Sequence, residues 1–125
     1  MEKESPTHYN SWRSITINSS QNTIFLGGEI DEINSNPFFQ ALPLGLHGMA
    51  ASYSLTTSSY NWAKVYKDED GKVQSITGVA LNNAETLLVL AGEVSTASTD
   101  KIIYLFFLDP NTGGSLYNTQ KIGTS

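Results

Sequence analysis

The sequence predicts an all-β chain: two antiparallel four-stranded meanders that are part of, or assemble into, a larger stack of such sheets. Three observations predict it. Short runs of β-branched and aromatic residues recur along the chain, each bounded by a cluster of Asn, Ser, Asp or Gly, the pattern of strands and turns. Ser, Thr and Asn supply 37 of the 125 residues, and these side chains weaken helix interiors because they compete for backbone hydrogen bonds. The order of strands and turns in the first half recurs in the second.

The elements follow in order. Residues 1–11 are a polar lead-in. Trp12, Ser14, Thr16 and Asn18 then alternate with Arg13, Ile15 and Ile17, the period of two of a first strand. Ser19-Ser20-Gln21-Asn22 turns the chain into Thr23-Ile24-Phe25-Leu26, closed by Gly27-Gly28. An insertion at 31–48 carries Pro37, Pro43 and an apolar patch. Strands are expected at 49–55 and 61–67, and Asp68-Glu69-Asp70-Gly71 is a turn. The second unit places strands at 75–81, 86–91 (closed by Gly92), 102–108 and 115–122. Between the last two, Asp109-Pro110-Asn111-Thr112-Gly113-Gly114 is a turn in which proline fixes φ and glycine admits positive φ. No segment holds a 3.6-residue period over ten positions. The expected division is therefore a first repeat at 12–74 and a second at 75–125.

Composition removes several functions. The net charge of -5 opposes nucleic acid as a partner, because phosphate binding needs clustered Lys and Arg. The longest apolar run, residues 102–108, is far short of the ~20 residues of a membrane helix. With no cysteine, disulfides, thiolate metal sites and a thiol nucleophile are excluded. The polar start does not read as a secretory signal. Low charge with many Ser, Thr and Asn leans toward an extracellular or cell-surface protein.

The repeat is the most informative feature. At an offset of 64, Ile15-Thr16-Ile17-Asn18 falls on Val79-Ala80-Leu81-Asn82, and Leu26, Gly28 and Glu29 fall on Leu90, Gly92 and Glu93. Beyond the insertion the offset reads as about 53, which places Ser54-Leu55 on Phe107-Leu108. The run Ile76-Thr77-Gly78-Val79-Ala80-Leu81-Asn82-Asn83-Ala84-Glu85-Thr86-Leu87-Leu88-Val89-Leu90-Ala91-Gly92 resembles the first half of a blade in the quinoprotein-like and lactonase-like β-propellers. Ile103-Tyr104-Leu105-Phe106-Phe107-Leu108 with the Asp109-Pro110-Asn111-Thr112-Gly113 turn resembles the second half. The resemblance implies a propeller-like stack of blades, and two blades cannot close the usual ring of about four to eight. A larger assembly is therefore expected, ahead of a closed two-sheet sandwich.

Each candidate site has a plain structural reading beside it. His8 and His47 read as surface or loop histidines, since no Gly-x-Ser-x-Gly elbow accompanies them. Asp68, Glu69 and Asp70 lack the alternating ligands of a calcium loop. Glu29 and Glu93 are a carboxylate pair that the repeat alone explains, facing solvent at strand ends. Trp12, Tyr60 and Trp62 are candidates for ligand stacking, or else packing between sheets. Phe38, Phe39, Leu42, Leu44 and Leu46 in the insertion are candidates for contact with a partner, because long apolar loops are commonly covered. Asn18 opens the only glycosylation sequon and makes a glycan possible. No catalytic, cofactor-binding or metal-binding set assembles.

The expected function is non-enzymatic: a scaffold or recognition module acting through a protein partner or homo-oligomer. Two alternatives stand beside it. One is an extracellular adhesive or filament-forming subunit. The other is a fragment of a quinoprotein-like propeller enzyme, in which cofactor and metal sites draw on several blades.

Overall fold

The computed structural model describes residues 8–32, 46–66, 73–95 and 101–123. They form eight strands and no helix: β1 (His8–Ile17), β2 (Thr23–Glu32), β3 (Leu46–Ser54), β4 (Ser59–Tyr66), β5 (Ser75–Leu81), β6 (Leu88–Ser95), β7 (Lys101–Leu108) and β8 (Ser115–Ile122). The first four make one antiparallel sheet in chain order and the last four a second. The chain is all-β, as its turn-punctuated composition requires.

The two sheets repeat each other in detail. Asn18 caps the β1–β2 turn, its Oδ1 accepting from the backbone N–H of Asn22 and of Thr23, each at 3.0 Å. Asn82 does the same for Thr86 at 2.8 Å and Leu87 at 2.9 Å. Gln21 and Glu85, also 64 apart, both hold positive φ, at 59° and 60°. The ladder slips between Trp12 and Ser14 in β1 and between Ile76 and Gly78 in β5, again 64 apart. Such bulges bend and twist an edge strand, so both units carry the same local shape.

Beyond the insertion the structure revises the offset. Leu26 pairs with Ala51, and its counterpart Leu90 pairs with Phe106, which makes the offset 55 rather than 53. Ser58 thus falls on Gly113, and both take positive φ, 58° and 76°. Their N–H groups donate to the equivalent carbonyls, Ser54 at 2.9 Å and Asp109 at 2.8 Å. Ser54-Leu55-Thr56-Thr57-Ser58-Ser59 therefore closes the same loop as the Asp-Pro-Asn-Thr-Gly-Gly turn. The glycines also differ from expectation. Gly27-Gly28 and Gly92 do not end their strands, which run on to Glu32 and Ser95. They are there because other groups occupy the space a side chain would take.

Each sheet has two faces. Leu26, Gly28 and Ile30 share one with Met49 and Ala51; this is the front. The matching front of the second sheet carries Leu90, Gly92 and Val94 with Tyr104 and Phe106. The front of the second sheet packs on the back of the first, where Phe25, Gly27, Gly48 and Ala50 lie. Ile76 is the centre of that contact. It is fully buried and projects into a hollow left by two glycines: a Cβ on Gly27 would stand 2.6 Å from Ile76 Cγ2, and one on Gly48 3.1 Å from Cγ1. Leu88, Leu90, Leu108 and Val73 are buried around it, each such side chain contributing about 2 kcal/mol. Tyr66 of the first sheet lies against Phe106 of the second, with ring centroids 4.5 Å apart.

Candidate functional site

Among the described residues four hydrogen bonds join the sheets through side chains, and a fifth runs from Gly48 N–H of β3 to the Val73 carbonyl just ahead of β5, at 2.9 Å. In the first, Trp62 Nε1 donates to the Pro110 carbonyl at 2.8 Å, and its indole covers Gly113, where a Cβ would fall 2.7 Å from Cδ2. Lys64 Nζ donates to the Gly113 carbonyl at 2.6 Å. Val79 N–H donates to Ser14 Oγ at 3.2 Å, and Ser19 N–H to Glu85 Oε2 at 2.7 Å. The Ser19 contacts hold the Glu85 carboxyl below its ordinary range, while burial lowers the Lys64 ammonium. Burial also drives the Tyr66 phenol well above its usual range, and its hydroxyl has no hydrogen-bond partner among the described residues.

At the turn end of this interface lies a cleft of about 410 Å³. Asn18, Phe25, Ser52, Asn61, Glu85 and Asn111 line it. Its polar groups are largely engaged with one another: Asn61 Nδ2 donates to Ser52 Oγ at 3.0 Å, Asn18 holds its own turn, and Glu85 holds Ser19. The lining has no histidine, and its one carboxylate is already in use as a clamp between turns. What the cleft offers chemically is a set of amide and hydroxyl groups that stiffen the junction.

The sequence candidates fall in different places. Trp12 lies on β1, and Tyr60 and Trp62 on β4, the opposite edge of the same sheet. Tyr60 meets Tyr53 edge-on with centroids 5.1 Å apart, whereas Trp62 turns to the second sheet. Trp12 and Tyr60 are exposed by 41% and 44%. Asn18 is committed to its turn, and Asn82, which opens no sequon, does the same work; the turn accounts for the asparagine. Phe38, Phe39, Leu42 and Leu44 lie outside the described residues, as do Asp68, Glu69 and Asp70. Leu46 is the first residue of β3.

Two expectations are corrected. His47 is buried within β3, not placed in a loop. Glu29 does not face solvent: it is 5% exposed, and Arg13 meets it through Nε at 3.1 Å and Nη2 at 2.8 Å. A buried carboxylate needs such a partner. At the position 64 residues after Arg13 stands Thr77, so the second unit has no arginine at the equivalent place. Among the described residues no group of three His, Asp or Glu side chains is placed to hold a metal ion.

Of the residues that join the sheets, Ser14 and Lys64 carry no sequence motif, and the turn motif around Pro110 did not mark it as a contact. The repeat could have flagged one partner, since an offset of 55 sets Trp62 on Tyr117. Comparison with protein-family models, curated proteins and solved structures finds no match for this chain.

Proposed function

We propose that this chain is a non-enzymatic scaffold or recognition module of propeller-like repeats, acting through protein–protein contacts in a larger assembly. The observation that supports this is the direction of stacking. Front on back is a heterologous contact, so the front of the first sheet and the back of the second both lie outside it. The exposed apolar residues collect there. Trp12, Ile15, Ile17 and Tyr60 are exposed on the front of the first sheet; Ile103, Tyr117 and Ile122 are exposed on the back of the second. Contiguous apolar surface marks contact sites, and the patch on the second sheet is contiguous, since Ile103 pairs with Ile122 across β7 and β8.

Lysine substitution tests the reading. The chain alone should bind an apolar-surface dye, and Ile103→Lys with Tyr117→Lys should weaken that signal, leaving the share due to Trp12, Ile15 and Ile17, with the urea midpoint nearly unchanged. Unfolding by the two lysines would assign these residues to the chain's own core, and the proposal would be abandoned.

A further inference from the structure

The back of the second sheet corresponds, position by position, to the surface on which that sheet itself sits. Val89 stands where Phe25 does, Ala91 where Gly27 does, and Leu105 and Phe107 where Ala50 and Ser52 do. On the edge strand, Tyr117 pairs with Phe107 as Trp62 pairs with Ser52, and Gln120 pairs with Leu105 as Lys64 pairs with Ala50. Trp62 and Lys64 donate to the carbonyls of the β7–β8 turn. Tyr117 and Gln120 carry donors of their own at the same two places, and both are exposed. The donor pair of the internal interface is thus repeated, facing outward.

The hollow is not repeated. Gly27 and Gly48, which admit Ile76, become Ala91 and Ile103. A branched side chain, 39% exposed, now stands where the projecting residue would enter. The first sheet's own projection, at the position of Ile76, is Trp12. Stacking a second copy of the chain in the internal register would drive an indole onto Ile103, an overpacked contact. Ile30, Met49 and Ala51 on that same front are moreover already buried, at 2%, 4% and 1% exposure. The two ends of the chain do not fit each other.

Resting on the reading above, we propose that the back of the second sheet seats a further four-stranded unit that is not a second copy of this chain. Its residue at the Ile76 position is small, and its third-to-fourth-strand turn accepts hydrogen bonds from Tyr117 and Gln120. Ile103 fills the hollow from this side and thereby selects against a large projection.

Extended chains test this. Residues 67–123 are repeated after Ser125, in one version with Ile76→Ala in the added copy and in another with Ile76 kept. The chain has no cysteine of its own, so Ile122→Cys in the original segment reports cover of the face through its rate of thiol labelling. The Ile76→Ala version should slow labelling about tenfold or more relative to the parent, as for a thiol reached only by local opening. The version that keeps Ile76 should label nearly as fast as the parent. Equal slowing in both would overturn the selectivity for a small residue and leave the docking face standing. No slowing in either, or an added unit that gains no strand signal by circular dichroism, would overturn the face itself. The same residues fold against the first sheet in the parent chain, so a true seat must order them. Sedimentation of the parent chain gives the last arm: concentration-dependent association reversed by Tyr117→Lys would make a second copy the occupant.

Discussion

Gly27→Ala tests the centre of the fold. The added Cβ would lie 2.6 Å from Ile76 Cγ2 and 3.0 Å from Val79 Cγ1, closer than the ~3.5 Å at which carbon atoms attract. Both neighbours are β-branched, and Ile76 is fully buried, so relief requires the sheets to separate or two stiff side chains to leave their rotamers. Overpacking of this kind costs about 2 kcal/mol. Ile76→Ala alone removes three carbons from a closed site and costs about 3 kcal/mol in lost transfer energy and cavity. Combined, the substitutions should not add. With Cγ2 gone, the alanine at 27 still faces Ile76 Cβ at 3.2 Å and Val79 Cγ1 at 3.0 Å, but the worst overlap has vanished, and its cost should fall below about 1 kcal/mol. Urea midpoints at unchanged m-value measure all four corners of the cycle. Additivity to within about 0.5 kcal/mol would refute the seating of Ile76 in the glycine hollow.

Three further outcomes follow from the junction. Asn18→Ala and Asn82→Ala should each destabilise by about 1–2 kcal/mol, and by similar amounts, because each removes an acceptor for two turn N–H groups; thermal melts compare them. Trp62→Phe should cost about 1 kcal/mol through the bond to Pro110. Gly113→Ala should cost more, since it forces positive φ on alanine beneath the indole. Glu85 is held below its ordinary carboxylate range by Ser19, so its stabilising contact is complete above the unfolded value and is lost as pH falls through the lower folded value. An acid titration followed at the Ser19 amide by NMR should show that step, and Glu85→Gln should abolish it.

The number and order of the strands were legible because turns and β-branched runs alternate, although β1 begins at His8 inside the expected lead-in and β3 at Leu46 inside the expected insertion. The offset of 64 was legible for the same reason, but the bulge was not: strict alternation set Trp12 on the face of Ser14, whereas the slip in the ladder sets it with Ile15 and Ile17. Strand ends were not legible either. A glycine in a strand run reads as punctuation, yet Gly27 is there for Ile76, a residue 49 positions later whose approach no local pattern encodes. Glu29 and His47 were misplaced for a related reason. Alternation assigns residues to two faces of a sheet but does not say which face is covered, and here both faces of the first sheet carry buried residues: Phe25 and Glu29 on one, Ile30 and Met49 on the other. The offset of 53 failed because it aligned apolar letters, whereas the ladder and the positive-φ position at Ser58 and Gly113 set the register.

The arrangement of the two units bears on the sandwich expectation. A closed sandwich turns equivalent faces toward each other, so one contact hides the apolar surface of both sheets. Here the second sheet's front meets the first sheet's back, and repeating the operation continues in one direction. Identical units would make every interface alike, and the stack would accept its own copies until its rotation closed a ring or ran on as a filament. The substitutions that separate the units prevent that: glycines 27 and 48 against Ala91 and Ile103, and Ile76 against Trp12. Each pair preserves a strand position while changing what can approach it. Sheet geometry sets where neighbours sit, and side-chain volume at the hollow and its projection decides which neighbour is accepted.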